Sequence, residues 1–294
     1  MQRFLSIALL LLTASCTQRS ADLRDTAANS MGKTCGPEGP VRYLVVRTLG
    51  IGRVADGISN GFDLDASVTP PGGPTGCGVA DYVGPDGTVG IDNAFAGLMP
   101  FLDSTEAAAL EPLLQQKINE GELTLLIEVA GLDDLAQDDC VAVRMLRGRG
   151  LPQLGTDGLI LEDQTFDLDE TVQILPSVEG AVVDGVLDVR GITFDLPVVV
   201  FDFDMVLELT DAALRLDLSD DGEAVGVLGS GFSWQPLLEE LLTTPIDITL
   251  QKALPVLIAQ LADLRVDEAG VCQELSAVLE ISTAGAFVFE DALP

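Results

Sequence analysis

Residues 192–209 read ITFDLPVVVFDFDMVLEL. Within them Phe201, Phe203 and Met205 alternate with Asp202 and Asp204. A period of two sends apolar groups to one face of a β-strand and acids to the other. The segments on either side share this character. Upstream lie VRYLVVRTL (41–49), ELTLLIEV (122–129), CVAVRML (140–146), TFDLDETVQIL (165–175) and GAVVDGVLDVRG (180–191). Downstream lie AALRLDLSDDG (212–222), EAVGVLGSGFS (223–233) and a closing apolar segment, 275–289. Asp220-Asp221-Gly222 is a hairpin turn between two of these runs. Several strands at short spacing, bounded by turn residues, predict an antiparallel sandwich or an open barrel.

Helices flank this β-rich core, near 92–120 and 234–264, so the fold class is mainly β with an α+β character. Residues 91–102, IDNAFAGLMPFL, have a helical pattern with Asp92 or Asn93 as cap. Pro100 ends or bends that helix. Asp103 or Ser104 caps a second helix, TEAAALEPLLQQKINEG, which stops at Gly121. Two later helices, 234–242 and 249–264, are separated by Pro245. Leu237, Leu238, Leu241 and Leu242 recur at helical spacing, the pattern of a core face.

Between the first strand and the first helix, residues 61–93 read GFDLDASVTPPGGPTGCGVADYVGPDGTVGIDN. Asp63, Asp65, Asp81, Asp86, Asp92 and Asn93 gather here in a Gly/Pro-rich loop without a basic residue. Hard oxygen ligands suit a hard cation, and Ca²⁺ in a structural role is the expectation. The spacing is not that of an EF-hand, which ends in a bidentate Glu. Asp and Asn also serve turns without any metal, and that is the competing reading. Asp263, Asp267 and Glu268, ahead of Gly270-Val271-Cys272, form a smaller acidic turn that reads as a solvated helix end.

Residues 1–15 carry Arg3, an apolar stretch and then small residues. This is a secretory signal, too short to span a membrane. Thr-Ala-Ser-Cys resembles the lipobox of bacterial lipoproteins, in which the cysteine, here Cys16, becomes the acylated first residue. Thr13 stands where that pattern has Leu. By similarity to the sorting rule of enteric bacteria, Thr17 directs the protein to the outer membrane. Residues 16–40 then read as a flexible tether, and 41–294 as a single β-rich domain. With Cys16 acylated, Cys35, Cys77, Cys140 and Cys272 remain, enough for two disulfides in an exported protein. Three pairings are open; the lean is Cys77–Cys140 with Cys35–Cys272. No short C-x₂₋₄-C spacing supports a zinc site.

The pattern GFDLD…GIDNAFAGLMPFL, followed by LDLSDDGEAVGVLGSGFSWQPLLEELL, is similar to a group of uncharacterised exported lipoproteins of myxobacteria and related delta-proteobacteria. Those carry an acidic FDLDGDG…DNxLG loop, a β-rich middle and a late helix–strand segment. Asp63, Asp65, Asp92 and Asn93 match the acidic motif. The departure is the long insertion holding Cys77, Asp81 and Asp86. The resemblance implies an exported lipoprotein and carries no activity.

Forty-seven acids stand against 15 bases, a formal net charge of −32. Such a surface repels nucleic acid, which needs Lys and Arg to neutralise phosphate. The chain has no His. That removes Ser-His-Asp and Cys-His catalysis and His-ligated zinc or haem. A glycosidase needs only paired carboxylates, but sugar sites favour aromatic platforms and the chain has one Trp and two Tyr. The expectation is therefore a non-enzymatic envelope protein of structural or interaction type. It is anchored in the membrane through Cys16 and engages an envelope protein or surface component. The alternative is a lipid- or glycan-binding protein with a pocket in the β-domain.

Overall fold

The computed structural model describes Cys35 and residues 39–200, 203–220, 222–243 and 248–289. Cys16 and the rest of 1–34 lie outside the described residues, as do Phe201 and Asp202. The compact unit runs from Cys35 to Pro294.

Ten strands form one sheet. They are β1 (Val41–Ile51), β4 (Thr124–Ala130), β5 (Gln137–Arg149), β6 (Gln164–Leu168), β7 (Val178–Val183), β8 (Val186–Val200), β9 (Phe203–Leu218), β10 (Ala224–Ser233), β11 (Leu264–Val266) and β12 (Cys272–Val288). β2 (Tyr82–Val83) and β3 (Val89–Ile91) pair separately. The main pairings close on themselves. β1 pairs with β4, then come β5, β7, β8, β9, β10 and β12, and β12 returns to β1. Every step of this eight-strand circuit is antiparallel. The fold is mainly β with a few helices, of sandwich or barrel-like build as expected, and these pairings run as a circuit. Closure removes the open edges of most of the circuit, but β8 beyond Val189 and β9 before Thr210 pair only with each other. β6 crosses between two members of the circuit, antiparallel to β5 and parallel to β12.

The stretch 192–209 is not one strand but most of a hairpin. Val200 pairs with Phe203 and Pro197 with Val206. Another hairpin joins β7 to β8 through Asp184 and Gly185, both at positive φ (51° and 83°). That is the Asp-Gly chemistry of a two-residue turn whose twist matches its strands. The expected turn before β10 is present, with Gly222 N donating to Ser219 O.

Leu214, Leu216, Leu228 and Leu275 are buried in the main core with Leu126, Ile127 and Val143. Their neighbours Ala213, Val227 and Val278 belong to a second, smaller cluster. Period two explains the split, because odd and even positions face opposite sides of the sheet. Arg47 is the bulged residue of β1, since Val46 and Thr48 pair with adjacent residues of β12. Its carbonyl accepts from Gln115 Nε2, so the bulge leaves no orphan there.

The helices depart from expectation in detail. Residues Ala94–Leu98 form a 3-10 turn that leads into α1 (Met99–Leu102), one turn long. The second helix is capped by Thr105, not Asp103 or Ser104. Its hydroxyl accepts from Ala107 N ahead of the 3-10 turn Glu106–Ala109 and α2 (Leu110–Asn119). α3 (Trp234–Thr243) and α4 (Ile248–Leu261) follow β10, and β11 begins at Leu264, where a helix was expected to continue. No described helix is long and apolar enough to cross a membrane.

Candidate metal centre in an acidic strap

Residues 52–93 leave the end of β1 as a strap whose anchor packs on the face of the sheet opposite the main core, while Val79 packs against that core. Gly52 N donates to Val278 O at the start. The anchor is Phe62, 1% exposed, packed on Ala213, Val227 and Val278. The register of the sheet builds its seat. Gly229 of β10 lies between Ala213 of β9 and Val278 of β12. A Cβ at Gly229 would stand 2.7 Å from Phe62 Cδ2, so the missing side chain is what admits the ring. The guanidinium groups of Arg190 and Arg215 lie over the ring at 5.4 and 4.9 Å from its centroid. Each cation favours the negative π-face.

Phe62 also pairs with Asp92 across the strap, Asp92 N donating to Phe62 O. That pairing brings 63–65 beside 92, although 28 residues separate Leu64 from Asp92. Asp92 Oδ2 accepts from Leu64 N at 2.6 Å. Asp63, Asp65 and Asp92 each offer an oxygen within 4.8 Å of the other two. Asp65 is exposed, Asp63 half-buried and Asp92 buried. Among the described residues no ion pair reaches any of the three. The nearest basic contact is with main chain, Arg190 Nη1 donating to Asp63 O. The donors are all hard oxygens, the set a Ca²⁺ ion takes.

The other candidates divide. Asp81 Oδ2 accepts from Thr69 N. Its carboxyl is pushed above the ordinary value, first by burial and then by Asp65 and Asp63. Asp86 is separate: it is exposed at the β2–β3 turn, where it accepts from the backbone N–H and hydroxyl of Thr88. It is a turn residue, not a member of the cluster. Asn93 is 1% exposed and donates to Gly52 O and Ser59 Oγ, while its Oδ1 has no protein partner.

Asp263, at the junction of α4 and β11, is the residue that sequence reading misplaced. It is 5% exposed rather than solvated, and accepts from the backbone and hydroxyl of Ser276. Ala94 N in turn donates to Ser276 Oγ, so the hydroxyl links the strap's end to Asp263. Asp267 does not join it. It stabilises its own turn, accepting from Ala269 N and Val271 N. The available signal was the apolar company of Asp263, between Ala262 and Leu264.

Burial raises the carboxyl of Asp92 to about 8, the Leu64 N–H opposes the rise, and Asp263, Asp65 and Asp81 add to it. Burial likewise raises Asp263 to about 7 against its hydrogen bonds from Ser276. Desolvation disfavours the anion, and each neighbouring carboxylate repels it further. A proton or a cation relieves that repulsion.

The tip of the strap is covalently tied. Cys77 bonds Cys272, the first residue of β12, and Cys35 bonds Cys140 in β5. Two disulfides are present, as expected, but the pairing is not the one leaned towards. The strap is fastened to the start of β12, and Cys35, six residues ahead of β1, to β5. Comparison with protein-family models, with curated proteins and with solved structures finds no match to this chain.

Proposed function

We propose that the chain is an exported envelope protein of structural or interaction type, anchored by acylated Cys16, whose strap is fastened by a bound Ca²⁺ ion. The signal-like residues 1–15 and the two disulfides support export, because such bonds persist in oxidising compartments. The observation that carries the cation is the convergence of Asp63, Asp65 and Asp92 without a counter-charge among the described residues. A metal there would cross-link the two arms of the strap beside its anchor Phe62. The module would then present an ordered acidic surface to an envelope partner.

The test is thermal unfolding of the purified protein in millimolar Ca²⁺ and in EDTA. Extracellular-type sites bind at roughly 10⁻⁴–10⁻³ M. At a free concentration tenfold above Kd, mass action adds about 1.4 kcal/mol. The expected rise in midpoint is about 2–4 °C. The double substitution Asp63→Asn with Asp65→Asn keeps acceptors for Ser67 and removes two charges, so it should abolish the rise. A midpoint indifferent to Ca²⁺ in the unaltered protein sinks the cation reading.

A further inference from the structure

Between β5 and β8 the circuit closes over only part of its length. β7 lies between the two and begins at Val178, opposite Val143 of β5. Beyond that pair β5 runs on to Arg149 and β8 to Val200, with no strand between them. β6 meets β5 again only at Gly148. Residues 169–177, which join β6 to β7, cross the gap without a ladder. Among the described residues their backbone makes one bond to β5, from Asp169 N to Arg147 O, and none to β8. A cavity of about 190 Å³ occupies the gap, lined by Met145, Leu146 and Arg147 of β5 and Thr193, Phe194 and Asp195 of β8.

Both sides turn unpaired backbone towards the gap. Arg147 O accepts from Asp169 N, so the backbone of Arg147 faces it, and that of Met145, two residues back, faces it too. On the other side Pro197 pairs in register with Val206 of β9. A proline has no N–H to give to a ladder, so its nitrogen takes the open edge. By alternation the backbone of Asp195 points to the same edge. No strand meets Met145 or Asp195 there. Such edges are templates for a further strand.

The lining sets the chemistry of that strand. Asp169, Asp195 and Glu208 line the cavity against one base, Arg147. Asp195 and Glu208 are exposed and stand directly opposite each other across β8 and β9. Like charges so placed repel, and a cation on the same face relieves the repulsion. We propose that the gap takes an extended, basic segment of a partner protein. Its backbone pairs with the free edge of β8 at Asp195, and a Lys or Arg side chain opposite Asp195 shares a face with both acids. In such strand addition the main-chain bonds give affinity and the side chains give specificity. A cavity of about 150 Å³ holds benzene, so this one admits roughly eight non-hydrogen atoms, the backbone of two residues. The gap shares no residue with the strap, so the proposal stands apart from the cation centre.

The test is fluorescence polarisation with the full chain and three labelled peptides. The first is TVKVKV, the second is TVEVEV, and the third is the first with every backbone nitrogen methylated. The third keeps the charge of the first and removes the N–H groups that pair. TVKVKV should bind saturably at one site, and the other two at least about tenfold more weakly. Asp195→Asn with Glu208→Gln should weaken TVKVKV about tenfold. That variant removes like charges from exposed positions, so its thermal midpoint should stay the same or rise. EDTA should not alter the titration, which separates this surface from the cation centre. The proposal is overturned if TVKVKV shows no saturable binding, whether the gap stays empty or residues 17–34 of the chain fill it. It is overturned if the methylated peptide binds as tightly, since attraction of a cation to an acidic protein then suffices, or if the double variant binds unchanged. A dimer in sedimentation that TVKVKV disperses would assign the gap to a second copy and overturn it as well.

Discussion

The eight-strand circuit and the strap both satisfy a long stretch of backbone, and they do so by different means. In the circuit the partner of an N–H is another backbone carbonyl, strand after strand. In the strap many of the partners are carboxylates. Asp92 takes Leu64 N, Asp63 and Asp65 take Ser67 N, Asp81 takes Thr69 N and Asp86 takes Thr88 N. Backbone ladders are indifferent to pH and cations. Carboxylate acceptors are not, because protonation or a metal changes what they offer. The difference teaches that a Gly/Pro-rich segment can be ordered without a ladder, if it is pinned. Here the pins are the Phe62 ring, the Cys77–Cys272 bond and the acids.

The largest test of that contrast removes the covalent pin. Cys77→Ala with Cys272→Ala opens a link between residues 195 apart, against 105 for Cys35–Cys140. Chain entropy makes the first worth about 5 kcal/mol and the second about half a kcal/mol less. Urea unfolding midpoints of the two double variants measure this. A negligible cost for the strap bond would show that the strap opens without the sheet, breaking the picture of one cooperative unit.

Next comes the anchor. Phe62→Ala empties a seat formed by Gly229, Ala213, Val227 and Val278 and releases two guanidinium groups. A loss of about 3–5 kcal/mol is expected from denaturant unfolding. Hydrogen exchange sharpens the result, since protection should fall in 52–93 before it falls in β9 or β10.

The smallest effect is electrostatic. Asp263 is raised from 3.8 to about 7 in the folded protein, chiefly by burial. Between those values the folded state holds a proton that the unfolded state has lost. Stability therefore falls as pH rises from about 4 to about 7 and levels off above, by on the order of 3 kcal/mol for this group. Asp263→Asn keeps an acceptor for Ser276 N and should flatten that slope in unfolding midpoints collected across the range. A slope equally steep in the variant would assign it elsewhere in the acid group.

Much of the β-domain was legible from local pattern, and the misses have physical causes. The hairpin inside 192–209 was missed because the apolar run Val198-Val199-Val200-Phe201 masks a change of phase in the alternation. Apolar groups fall on even positions from Phe194 to Val200 and on odd positions at Phe203 and Met205, the switch that pairing Val200 with Phe203 imposes. Asp63, Asp65 and Asp92 were legible as a group from composition. Asp86 was not separable from them, since a carboxylate that closes a turn and one that faces a cation look alike in sequence. Asp263 lay 171 residues beyond Asp92 and was read by its neighbours in the chain, not its neighbours in space.

By itself the sequence determined the strand content, the acidic loop, the missing histidine chemistry and the four cysteines that follow Cys16, all properties of residue type and short-range period. Only the tertiary structure decided which cysteines meet, that the circuit closes, and that Asp263 is buried near Asp92. Each of those depends on β12 lying between β1 and β10. Such pairing across more than two hundred residues is chosen by the packing of the whole core, and short-range periodicity cannot encode it.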